Sequence, residues 1–187
     1  MKKFTLAIVA VILSFVMTSC GDGQSATENL KKQTDEFFSK AEQNLENVTN
    51  ADEFLDLVAA FNEEKNGFAE VLFAGHIDDE GNIKDFSEEE LNDIQNYIFE
   101  RATAYNQKEG AKCAEFLTPC LDRFEQAYKT LYENIEDKEQ FDALFYELMN
   151  ASEEINKFAE YDNVPVALQE RYHALEAEFD ELFPTEE

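Results

Sequence analysis

Apolar residues recur at steps of three and four along almost the whole chain, and that period commits it to helices. Leu121, Phe124, Tyr128, Leu131 and Ile135 step in this way. Phe141, Leu144, Leu148, Ala151, Ile155 and Phe158 repeat the step, and Leu168, Tyr172, Leu175, Phe179 and Leu182 continue it. Residues so spaced share one face of a helix with 3.6 residues per turn, so each run is a core seam. An aromatic stripe at this spacing is first a packing face, and we assign these Phe and Tyr side chains to the core rather than to a cofactor.

The N-terminal half follows the same rule. Leu30, Phe37, Ala41, Leu45 and Val48 mark a helix over about residues 26–48. Phe54, Leu57, Phe61 and Phe68 line a second, capped by Asn50 and running to about residue 74, with Gly67 inside it. Ser87 followed by Glu90 forms a capping box that opens a third helix to about residue 116, with Leu91, Ile94, Ile98, Ala102 and Tyr105 inward. Thr118-Pro119 reads as a break and a new helix start, since proline suits the first helical position. Asp137 with Gln140 resembles another capping box, and Asp162-Asn163-Val164-Pro165 reads as a last break. The expectation is an all-α bundle of about six helices over residues 26–187. With 44% hydrophobic residues, 17 Phe, and only three Pro and six Gly, the chain has the apolar surface for a core and few interruptions.

The first twenty residues read differently. Lys2 and Lys3 precede 14 residues, Phe4 to Met17, with no charge, and then Thr18-Ser19-Cys20. A membrane-spanning helix needs about 20 apolar residues, so this run is short for a span and right for a cleaved secretory signal. Thr18-Ser19-Cys20 after such a run resembles the lipobox of bacterial lipoproteins. That resemblance implies removal of residues 1–19, lipidation of Cys20, and a polar tether over 20–25. The expected place is the cell envelope, lipid-anchored at the outer membrane on its periplasmic or external face. Lipid anchoring holds stably with two or more acyl chains.

With Cys20 carrying lipid, Cys113 and Cys120 remain as a pair in an oxidising compartment. On one continuous helix their α-carbons would stand about 10.5 Å apart, too far to bridge. A break at Thr118-Pro119 would bring them together, so a Cys113–Cys120 disulfide is expected there, the alternative being two free buried thiols.

An internal repeat is also visible. Asp35-Glu36-Phe37 through Val48 aligns with Asp122-Arg123-Phe124 through Ile135, and Phe54 with Phe141. This suggests two three-helix units, 26–116 and 119–183, or convergence of amphipathic helices built from few residue types.

The net charge is −27, with 42 acids against 15 Lys and Arg. Such a surface repels nucleic acid, and that partner class is excluded. One stretch outside the helices resembles a calcium loop in part: with Gly81 at loop position six, Asp78 and Glu80 fall at ligand positions three and five. The loop's first and last ligands would be His76 and Ser87, and neither suits calcium. A tight turn at Asp79-Glu80-Gly81-Asn82 between two short strands accounts for the same residues. Glu170 and His173 have the Glu-x-x-His spacing of di-iron bundles, but such sites need it twice and the only other histidine is His76. No nucleotide, metalloprotease or serine-hydrolase motif is present, so no catalytic residue and no cofactor are assigned. The sequence points to a membrane-tethered, non-enzymatic interaction module whose partner is a protein or glycan. The alternative is a divalent-cation-binding envelope protein using Asp78 and Glu80.

Overall fold

The computed structural model describes residues 25–78, 80 and 82–184. The expected leader, Cys20 and the expected tether of residues 20–25 except Ser25 lie outside the described residues, as do Asp79 and Gly81.

Five α-helices make up the described chain: α1 Ala26–Glu46, α2 Ala51–Phe73, α3 Glu88–Glu133, α4 Lys138–Asn156 and α5 Val166–Leu182. A 3₁₀ turn, Ala74–His76, follows α2. Four of the five helix starts carry side-chain caps, and α5 begins after Pro165 without one. The Asn50 side chain accepts the Glu53 amide at 3.0 Å. Ser87 and Glu90 exchange bonds, the Glu90 amide to Ser87 Oγ at 3.2 Å and the Ser87 amide to Glu90 at 2.8 Å. The Gln140 amide donates to Asp137 at 3.2 Å. A further box, Ser25 with Glu28, starts α1. Each satisfies amides that have no partner inside the helix.

The helix count is five, not six, because Pro119 does not end α3. The helix runs 46 residues through it. Proline removes one amide and leaves the Glu115 carbonyl without its usual partner. Glu115 and Pro119 both lie on the exposed face, where water can meet that carbonyl. The opposite face carries Cys113, Leu117, Cys120, Leu121, Phe124, Tyr128 and Leu131, all buried. Breaking the helix would throw this stripe out of register, so tertiary burial overrides the local signal. The disulfide expectation falls with the break: Cys113 and Cys120 are free thiols. The boundary expected between residues 116 and 119 lies inside α3.

The chain divides into two compact units, and α1, α2 and α3 contribute residues to both. One comprises the chain up to Lys40 with Val58–Ala102, the other Ala41–Leu57 with Thr103–Glu187. In the first, Leu30, Leu72, Phe73 and Ile94 form the core, flanked by Phe68, Phe86, Leu91 and Ile98. Phe37 stacks on Phe68 at 4.1 Å and on Phe61 at 5.3 Å. Lys31 meets Asp93 at 2.7 Å, while Asp35 accepts Tyr97 at 2.7 Å and Arg101 at 2.9 Å. Pairs that advance together along both helices show α1 and α3 to be parallel there. In the second unit Phe54, fully buried, packs on Phe116, Phe158 and Tyr161. Arg171 reaches Asp122 and Glu125, and Phe179 packs on Phe124 and Tyr128, so α3 and α5 are also parallel. Lys31, Arg101, Lys108, Lys112, Arg123, Lys129, Lys157 and Arg171 each stand against at least one carboxylate.

The 87-residue spacing seen in the sequence has a structural counterpart. α1 ends at Glu46 and α3 at Glu133; α2 begins at Ala51 and α4 at Lys138. The capping residues Asn50 and Asp137 obey the same spacing.

Gly67 lies in mid-α2, and a methyl group added there would meet nothing within 4 Å. Gly67→Ala should therefore raise stability by about 1 kcal/mol, read as a higher urea midpoint with an unchanged slope. Thiol titration without reductant should find Cys113 and Cys120 slow to react in the native protein and both reactive in denaturant. A thiol count of zero in denaturant would mean that they are bridged.

Candidate functional site

The residues singled out in the sequence do not converge. Ile77 and Ile83 form one antiparallel bridge, with the Asp78 amide donating to the Asn82 carbonyl at 3.0 Å and the Lys84 amide to His76 at 2.7 Å. Asp78 Oδ1 accepts the amides of Glu80 at 2.9 Å and Asn82 at 2.8 Å. One oxygen of the carboxylate that the calcium reading uses is thus engaged by the turn, and Glu80 is exposed. Among the described residues no group of three or more His, Cys, Asp and Glu could hold a metal ion. Asp85 takes a positive φ of 73°, which Asp tolerates better than most side chains. His76 meets Asp85 at 3.4 Å and packs edge-on against Phe86. His173 is exposed and meets its helical neighbours, Glu176 at 3.3 Å and the Tyr172 ring at 5.9 Å between centroids. Cys113 is fully buried, and burial followed by the Glu109 charge pushes its thiol up to about 12. Cys120 donates to the Phe116 carbonyl at 3.2 Å and to Glu154 at 3.3 Å.

Two features of the second unit escape sequence reading. One is Glu109, only 1% exposed on α3. Buried carboxylates are rare unless they are partnered. The Tyr161 hydroxyl and the Asn163 amide, the latter at 3.2 Å, both donate to Glu109 Oε1. Burial, then this bond and the Glu109 charge, push the Tyr161 phenol well above its usual range. Tyr105 is raised by burial and then by Glu109 and Glu42. This network fastens α3 to the segment between α4 and α5, and its two donors occupy one carboxylate oxygen that solvent barely reaches. It acts as a clamp between these segments.

The other feature is an open groove of about 470 Å³ among α3, α4 and α5. Phe124 lines it from α3; Phe145, Leu148, Met149 and Ser152 from α4; Tyr172, Glu176, Phe179 and Asp180 from α5. Leu148 and Phe124 are buried at its floor, whereas Phe145 and Met149 are each 46% exposed. The charged side chains lining it are both acids. Tyr172 is pushed up to about 12 by burial and by its bond to Glu176. The groove's apolar lining and acidic edge suit binding. The signal in the sequence was a second apolar stripe on α4, Phe145 and Met149 with Ser152, beside the stripe that packs inward.

The Glu109 clamp sets the response to alkali. Thiol and phenol pKa values raised above their unfolded values, about 8.5 and 10, mean that the fold favours the neutral forms. Their contribution is complete below the unfolded values and is lost as pH rises toward the folded ones. Urea unfolding should show stability falling from about pH 9 upward. Tyr161→Phe should cost about 1–3 kcal/mol at neutral pH by stripping a donor from a buried carboxylate, and should flatten the alkaline fall.

Comparison of the chain with protein-family models, with curated proteins and with solved structures found no match.

Proposed function

We propose that this chain is a non-enzymatic interaction module, held at the cell envelope by lipid on Cys20 and binding its partner through the groove among α3, α4 and α5. The observation that carries the reading is the groove itself: a concave, largely apolar surface with large side chains left half exposed. Exposed apolar surface of this kind, rimmed by polar residues, marks interaction sites. The tether rests on Lys2-Lys3, the uncharged run and Thr18-Ser19-Cys20. Among the described residues no helix is long and apolar enough to cross a membrane. The 87-residue spacing supports reading the two helix–corner–helix elements, α1–α2 and the end of α3 with α4, as copies of one unit.

Cells fed an alkyne-tagged fatty acid should label the wild-type protein and leave Cys20→Ala unlabelled and displaced from the membrane fraction. Equal labelling of both would remove the anchor from the proposal.

A further inference from the structure

We propose that the groove among α3, α4 and α5 is the docking site of a cationic amphipathic helix on another protein. The inference rests on the interaction-module reading and names the partner's chemistry.

The two corners of the second unit carry the argument. At the first, between α1 and α2, Leu45 is 3%, Val48 8% and Phe54 0% exposed. A helix covers that corner: α3 lays Phe116 on Phe54 at 6.0 Å. Eighty-seven residues on, at the corner between α3 and α4, stand Tyr132, Ile135 and Phe141. Tyr132 is 48% and Ile135 52% exposed. Phe141 stacks on Phe145, which carries the apolar surface into the groove. On the other wall, Phe183 links Tyr132 to Phe179 through ring contacts at 5.9 and 4.9 Å. The same local framework is therefore covered by a helix at one corner and open at the other. A helix laid on the open corner would present apolar residues three and four apart, which is how an amphipathic helix enters a groove.

Charge selects which helix. The groove's charged residues are Glu176 and Asp180, and the chain carries −27 overall. A second copy of this chain, or an anionic vesicle, would bring like charge to that edge; a helix with Lys or Arg flanking its apolar face brings the opposite.

The probe is a synthetic peptide with Leu on one helical face and Lys on the other, titrated into the purified protein and followed by fluorescence anisotropy and circular dichroism. Saturable binding with gain of peptide helicity is expected. Phe145→Asp should weaken it about tenfold or more, as for a buried anchor. Met149→Asp provides a second test if the first variant is poorly folded. Glu176→Gln with Asp180→Asn should weaken binding and flatten its salt dependence. Equal affinity for all variants, or for a Lys peptide lacking the apolar face, would reduce the effect to bulk charge and overturn the proposal. So would saturable self-association in sedimentation, or binding to anionic vesicles, that Phe145→Asp abolishes while peptide binding persists. Absence of peptide binding by a protein that is lipidated at Cys20 sinks the docking inference and leaves the tethered module standing. Absence of lipid removes the tether and leaves a positive peptide result intact.

Discussion

The continuity of α3 across Pro119 is the constraint on which the other packing depends. From Cys113 to Leu131 one face of this helix is buried, and α4 and α5 lie against it through Arg123 with Glu154 and Phe124 with Phe179. A local helix breaker is outweighed because its missing hydrogen bond falls on the solvent side while the apolar stripe falls on the other. A proline in a helix interior costs about 3 kcal/mol, and fully burying one large apolar side chain returns about 1.5–3 kcal/mol. The stripe contains several such side chains.

Much of the fold was legible in the sequence for a simple reason: caps and stripes are local. Asn50, Ser87 and Asp137 mark helix starts because their side chains reach amides three residues on, a geometry that the sequence alone dictates. Leu148, Ala151, Ile155 and Phe158 are buried as their period requires. The error at Thr118-Pro119 arose where a local preference and a long-range one disagree. The chain around it does not say which is larger; the area buried against other helices does.

The site was barely legible. Glu109 is one acid among 42, and only its enclosure by Tyr161 and Asn163, some fifty residues on, distinguishes it. The groove exists because α4 is apolar over a wider arc than its neighbours cover, and the second stripe becomes significant only when the positions of α3 and α5 are known. Asp78 shows the reverse. Its place before Gly81 invites a metal reading, and in the fold its oxygen serves two amides of its own turn.

The pinning of cations against carboxylates has an electrical consequence. With eight of its lysines and arginines held against carboxylates and acids in large excess, the protein is a polyanion. It gathers a cloud of small cations and protons, so the water within about 10 Å of it at 0.1 M salt is more acidic and richer in divalent ions than the bulk. Exposed ion pairs contribute little each, whereas the mutual repulsion of the excess acids acts over the whole surface. Added salt is therefore expected to relieve more repulsion than the pairing it weakens, leaving the fold firmer in brine than in pure water.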